Sequence, residues 1–177
     1  MEELKAHFEV NFFGAVRMLN AVIPIMRAQR SGIIVNVSSG AGLVGFPILS
    51  GYASSKFALE GLCESLSYEI EQFDIRIVLI EPDCVKTNFV NRIVVAKKAS
   101  NSNSSYSNLL KKFQSSYGSA MQHAPPPEKI AKVILEIITN ENPKFRYTVG
   151  EDINMLMDAR KKMSDLEFHK LMVQMLL

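Results

Sequence analysis

The chain has no tryptophan, and only two cysteines and three histidines among its 177 residues. Cys63 and Cys84 cannot build the framework of a small disulfide-stapled domain. Both stand in apolar surroundings and read as reduced core or near-core thiols. His7, His123 and His169 are scattered without metal-ligand spacing. No metal site is expected, and a nuclease or hydrolase built on them has no support. A serine hydrolase fails because Gly-x-Ser-x-Gly is absent. Net charge is only +2, which leaves no footprint for nucleic acid and no strongly basic membrane face. There is no run of eighteen apolar residues, so no transmembrane segment is expected. Met1 opens directly into Glu2-Glu3-Leu4-Lys5, the pattern of neither a signal nor a transit peptide, and a reducing, cytoplasmic setting is the default expectation.

What is present is an alternation of apolar segments in a chain that is 47% hydrophobic. Leu4, Phe8, Phe12, Val16 and Leu19 recur near helical spacing, predicting a helix over 3–29 with Pro24 as a place for a kink. Ile33-Ile34-Val35-Asn36-Val37-Ser38 reads as a buried parallel strand. Phe57, Leu59, Leu62, Leu66 and Ile70 predict a second helix over 52–73. Ile75 to Ile80 and Arg146 to Val149 read as further strands. Between them Ser100-Asn101-Ser102-Asn103-Ser104-Ser105 marks a mobile loop or lid, within a variable loop of about 92–124. Pro125-Pro126-Pro127 suits a helix start, with Ile130, Val133, Ile134 and Ile137 as its apolar face. The tail from Ile153 is helical and Met-rich. The order predicts α/β layering on a parallel sheet, in one domain spanning 1–177. No internal repeats occur.

Gly51-Tyr52-Ala53-Ser54-Ser55-Lys56-Phe57 sets a tyrosine and a lysine on one helix face, one turn apart. An ammonium beside a phenol favours the phenolate, which makes Tyr52 a candidate acid/base. Alone, the spacing equally suits an ordinary half-exposed helix turn. Three features add weight. Ser39, thirteen residues before Tyr52, ends the strand segment Val35-Asn36-Val37-Ser38-Ser39-Gly40, where open α/β sheets build their sites. Ile80-Glu81-Pro82-Asp83-Cys84-Val85-Lys86-Thr87 leaves the end of the next strand. Asn11 is a polar residue amid apolar helix positions. Each has a plainer role available. Asn11 suits a bond to a backbone carbonyl at a helix distortion, Ser38 and Ser39 suit a turn, and Thr87 suits a helix N-cap.

In this order and at these intervals, the residues resemble the short-chain dehydrogenase/reductase family: an Asn in a long helix, a Ser after a strand, Tyr-x-x-x-Lys, then Pro-x-x-Val-x-Thr. Lys56-Phe57-Ala58-Leu59-Glu60-Gly61-Leu62-Cys63-Glu64-Ser65-Leu66 looks most like the branch of 17β-hydroxysteroid and retinol dehydrogenases. Arg146-Tyr147-Thr148-Val149-Gly150 looks like that family's last strand. The resemblance implies the C-terminal part of a Rossmann-type doubly wound parallel sheet with flanking helices. It implies catalytic roles for four residues. Tyr52 would exchange the proton, Lys56 would lower the Tyr52 pKa and bond the nicotinamide ribose, Ser39 would hold the substrate oxygen, and Asn11 would hold a water linking Lys56 to solvent. It implies NAD or NADP as cofactor, bound by Tyr52, Lys56, Pro82, Val85 and Thr87. The substrate would be a small-molecule alcohol or carbonyl compound, and a homo-oligomer would form through helices 3–29 and 52–73. Asp83 departs from the family, which usually has Gly after Pro82. Aspartate tolerates positive φ less well, and its carboxylate would repel a nearby phosphate.

Gly40-Ala41-Gly42-Leu43-Val44-Gly45 matches Gly-x-Gly-x-x-Gly. A dinucleotide fingerprint also needs a helix opening straight after it and an acid at the end of the next strand. Here Phe46-Pro47-Ile48 follows and the acid at that distance, Glu60, lies on the Tyr52 helix, so the glycines read as an active-site loop. No other glycine cluster offers a phosphate cradle, and the chain is expected to be an N-terminally truncated domain of the family. Two functions compete: an NAD(P)-dependent oxidoreductase acting on an apolar substrate, and a non-catalytic fragment or interaction module lacking the cofactor platform.

Overall fold

A computed structural model of the chain describes residues 1–89, 93, 95–99, 101 and 103–176. Ser100 and Ser102 of the polar tract, and Arg92 and Val94 of the expected variable loop, lie outside the described residues. The chain opens with α1 (Glu2–Phe8), a π-helical turn (Glu9–Phe13) and α2 (Gly14–Gln29), followed by β1 (Gly32–Val37), α3 (Ser50–Ile70) and β2 (Ile75–Pro82). Then come α4 (Ser107–His123), α5 (Pro127–Thr139), β3 (Arg146–Val149), α6 (Glu151–Lys162) and α7 (Asp165–Leu176). The three strands pair in parallel in the order β1-β2-β3.

Strand β2 explains the layering. Its side chains alternate between faces. Ile75, Ile77 and Leu79 pack with Leu59, Cys63 and Ile70 of α3, and with Phe12, Ala15, Ile23 and Met26 of the first helical rod. Val78 and Ile80 pack on the opposite face with Ile130 and Ile137 of α5 and Val149 of β3. The sheet is therefore wound on both sides, as the sequence implied. A third cluster, Val44, Ile153 and Leu156, closes the glycine loop under α6, with Phe168 and Met172 of α7 against it.

Four expectations are corrected. β1 is parallel but not buried: most of it is half-exposed and Val37 is 47% exposed, because among the described residues no strand pairs with its outer edge. The segment expected as a loop to residue 124 contains α4, whose Leu110, Phe113, Tyr117 and Met121 recur at helical spacing. The rod from Glu2 to Gln29 is 28 residues long and contains an eighteen-residue stretch of mean hydropathy 1.2, enough by length and composition to cross a membrane, and 6% of that stretch is buried here. Arg17 interrupts the apolar run, and the segment reaches that mean despite it.

The fourth correction concerns Asp83, which has no positive φ; among the described residues Arg30, Ile48 and Asp74 are the non-glycine residues that do. Asp83 is instead a cap. Its Oδ2 accepts from the Ile153 N–H in the first turn of α6 at 3.0 Å, and its own N–H donates to Val149 at 3.0 Å. The glycine requirement falls on Gly150, at φ +149, where an added Cβ would collide with the Asp83 carboxylate. Gly150→Ala is expected to cost about 1–3 kcal/mol of stability, read as a lower urea midpoint. An unchanged midpoint would show that the turn relaxes freely.

Candidate functional site

The carboxyl end of β1 and the first turns of α3 meet at one place. Ser39 follows β1 in extended backbone and caps a single 3₁₀ turn, Gly40–Gly42, by accepting from the Ala41 N–H at 3.1 Å. Tyr52 and Lys56 lie one turn apart on α3, both half-buried. The Ser39 side chain lies near enough to the Tyr52 hydroxyl to favour its ionised form. Lys56 Nζ lies 5.9 Å from the Tyr52 ring centroid and donates to the Val37 carbonyl, the last residue of β1, at 3.0 Å.

Asn11 sits in the middle of the π-helical turn, a distortion often found at functional positions. Its Nδ2 donates to Ser55 Oγ at 3.0 Å, and Ser55 Oγ donates to the Tyr52 carbonyl at 2.7 Å. The helix distortion anticipated for Asn11 is present, but its partner is a serine hydroxyl rather than a backbone carbonyl. Asn11 thereby braces the turn that carries Tyr52.

The electrostatics differ in sign from the simple tyrosine–lysine argument. Burial pushes the Tyr52 phenol above its ordinary value, the nearby Ser39 side chain opposes this, and nearby Cys84 adds to it. The Lys56 ammonium points to the Val37 carbonyl rather than to the phenol oxygen. Burial lowers the Lys56 pKa, with the Glu60 carboxylate opposing that fall. In this state Tyr52 holds its proton.

The segment after β2 crosses the same place. Pro82 is the last residue of β2, in register with Val149. Val85 packs with the Val78–Ile80 cluster on the α5 side. Thr87 is exposed and is no helix cap; its Oγ1 accepts from the Phe89 N–H at 3.3 Å. Phe89 lies over the Tyr52 ring with centroids 6.1 Å apart. The fold thus gathers Ser39, Tyr52 and Lys56, with Asn11 one residue behind, while Val85 turns to the opposite core. Sequence reasoning missed Phe89 and Tyr117. Tyr117 stacks on Phe113 at 5.6 Å, and burial pushes its phenol up to about 12, with Cys84 and Tyr52 adding to the rise. The periodicity of α4 was the available signal.

Beneath this place lies a charged cluster that no spacing announced. Arg146 at the start of β3 reaches Glu60 Oε2 at 3.2 Å, Glu64 Oε2 at 2.6 Å and Glu81 Oε1 at 3.3 Å. Glu81 is 0% exposed and Glu60 5%. One guanidinium cannot keep two buried carboxylates ionised together. Burial, and then the Glu60 charge, push Glu81 up to about 8, so the proton rests there. Glu60 is raised by burial but held down by Ser38 and Arg146, and carries the charge.

The folded state keeps the Glu81 proton between the ordinary 4.5 and about 8, where the unfolded chain releases it. Stability therefore falls as pH rises through that window. Glu81→Gln, neutral at every pH, should flatten the dependence, recovering about 2–4 kcal/mol at pH 8.5 relative to pH 5. Urea denaturation at both pH values measures it. Parallel losses in both proteins would place the proton elsewhere.

The model of the family described as short chain dehydrogenase matches residues 1–98. An uncharacterised oxidoreductase of Schizosaccharomyces pombe is 35% identical over 167 residues, covering 94% of this chain and 69% of its own length. Retinol dehydrogenase 8 of Bos taurus is 38% identical over 144 residues, 78% of this chain and 46% of its own. Among solved structures, a short-chain dehydrogenase from Streptomyces avermitilis superposes with TM-score 0.72 at 29% identity, covering 97% of this chain and 62% of its own. One from Burkholderia cenocepacia, solved with NADP, gives TM-score 0.71 at 18% identity, a likeness of fold. The chain spans about half to two thirds of the length of these proteins.

Proposed function

Because the chain belongs to the short chain dehydrogenase family, we propose that it is an NAD(P)-dependent oxidoreductase that interconverts a hydroxyl and a ketone or aldehyde on an apolar small molecule. The observation that carries this is the Tyr52 phenol seated against the Ser39 hydroxyl, with the Lys56 ammonium one turn away. Ser39 orients the substrate oxygen, and Tyr52 gives it a proton in reduction or takes one in oxidation. The nicotinamide, when bound, supplies or accepts the hydride. Asn11 and Ser55 hold the Tyr52 turn, and Phe89 packs beside the Tyr52 ring.

The described residues fit the nicotinamide end of the cofactor, where Tyr52 and Lys56 offer a hydroxyl and an ammonium at the mouth of the site. They do not supply a diphosphate cradle in the Gly-Ala-Gly turn. A Cβ at Gly40 would meet Ile153 and one at Gly42 would meet Ser38 and Glu60, so those glycines pack against side chains rather than opening toward a ligand. Tyr52→Phe should lower turnover on a panel of apolar ketones and aldehydes by about 10²–10⁴-fold, with circular dichroism unchanged. Retained turnover would remove Tyr52 from the chemistry.

A second reading, an interaction module without catalysis, is favoured by the open edge of β1. Beside that edge runs a groove of about 410 Å³ against α2, lined by Met18, Val22, Met26, Ile33 and Val35. Calorimetric titration of the purified chain with NADH and NADPH separates the two. Micromolar binding supports the oxidoreductase, and a flat titration supports the module.

Exposed Val10 and Phe13 on the rod, and Phe57 and Tyr68 on α3, support a homo-oligomer through these helices. Phe57→Glu should shift the sedimenting species to the monomer. An unchanged mass would put any interface elsewhere.

A further inference from the structure

Glu60 lies one turn beyond Lys56 on α3, and only 5% of it is exposed. A buried carboxylate is a poor way to stabilise a helix, since an apolar residue of similar size usually serves better. Its surroundings point to a different task. Arg146 Nε holds its Oε2 at 3.2 Å from across the sheet. Its other side faces the Ser38 hydroxyl, itself 3% exposed, and the backbone of Gly42. A Cβ built at Gly42 would lie 3.1 Å from Glu60 Cγ and 2.8 Å from Ser38 Oγ, so the Gly40–Gly42 turn rests directly on this pair.

The segment Val37-Ser38-Ser39 is thus hydrogen-bonded at both ends and underlain at its middle residue. Lys56 donates to the Val37 carbonyl at 3.0 Å, Glu60 faces Ser38, and Ser39 accepts from the Ala41 N–H. Two of these three contacts come from side chains one turn apart on α3, the helix that carries Tyr52. The charged neighbours are accounted for on each element. Lys56 faces Tyr52 and Glu60 on its own helix. Glu60 faces Glu64 on α3, Glu81 on β2 and Arg146 on β3, with the Cys63 thiol beside it.

We propose that Glu60 is a positioning residue for proton transfer: clamped by Arg146, its carboxylate provides the counter-charge for the Lys56 ammonium and the floor beneath the turn that presents Ser39. This rests on the assignment of Ser39, Tyr52 and Lys56 above. Burial works against the Lys56 charge and Glu60 works for it, so neutralising Glu60 should release a proton from Lys56 more readily.

The test is the Lys56 titration, followed by NMR of the full chain carrying ¹³C,¹⁵N-lysine, with Lys56→Arg identifying the resonance. Glu60→Gln keeps the shape and removes the charge, and the Lys56 midpoint should fall by about one unit. Glu64→Gln, on the same guanidinium but half-exposed, should leave it in place. A Glu60→Gln protein with native circular dichroism and an unmoved Lys56 overturns the proposal. So does an equal shift in Glu64→Gln, which would assign the effect to Arg146 alone. Should Glu60→Gln lose its native spectrum, Glu60→Asp keeps the charge but draws it back by one methylene. A smaller downward shift there supports the role, and no shift overturns it. Lys56 titrates whether or not the protein turns over, so these outcomes are independent of the Tyr52→Phe result.

Discussion

The rest of this structure depends on β2 being covered on both faces. Its odd-numbered residues from Ile75 to Leu79 meet α3 and the first helical rod, and its even-numbered Val78 and Ile80 meet α5 and β3. Five residues of the strand, Ile75, Val78, Leu79, Ile80 and Glu81, are at or below 1% exposure, so neither face can shift without opening a cavity. That double covering fixes α3 against the sheet, and α3 carries Tyr52, Lys56, Glu60 and Glu64. The parallel register then brings the end of β1 level with the end of β2. Ser39, Glu81 and Asp83 consequently leave the sheet at one end, which is where open α/β sheets place their chemistry.

The same alternation puts Glu81 in the layer of Ile77 and Leu79, on the α3 face. A carboxyl there is two residues beyond the last apolar position and is shut off from bulk solvent. Arg146, at the first residue of β3 and in register with Leu79, is the nearest cation the topology can offer. The cluster is therefore a consequence of strand register as much as of charge. Its asymmetry also follows from position: Glu64 is half-exposed and held well ionised by Arg146, while Glu81 is fully enclosed and keeps its proton.

Much of this was legible in the sequence. The strand Arg146–Val149 and the helix over Tyr52 follow from apolar periodicity and flanking turn residues, and Pro127 at the start of α5 follows from its missing donor. The Asn, Ser, Tyr and Lys pattern gave the family. What was not legible has physical causes. Helix α4 was hidden because its polar face is rich in Ser, Lys and Gln and it follows a Ser/Asn tract, so composition masked its period. The Glu60–Arg146 pair joins residues 86 apart, beyond the reach of any local spacing rule. The role of Asp83 was misjudged because its neighbour across space, Gly150, carries the backbone requirement that was looked for at Asp83 itself. The sign of the Tyr52 shift was missed because spacing gives proximity to Lys56 but not burial, and burial is the larger effect here.

That sign is consistent with the proposed chemistry in one direction and sets a condition in the other. A phenol raised by burial is protonated at neutral pH, as a donor to a carbonyl oxygen must be. To run the reaction from the alcohol, the phenol has to give up that proton in a half-buried site, where an anion is poorly solvated. The only cation within a turn of it on α3 is Lys56, and burial has made that ammonium expensive as well. Moving Lys56 Nζ from the Val37 carbonyl toward the phenol oxygen would relieve both costs at once, because each charge becomes the other's solvent. A rigid turn beneath Ser39 matters for that exchange: the strand end must stay in place when Lys56 lets go of it, and the packing of the Gly42 turn on Ser38 and Glu60 is positioned to support it.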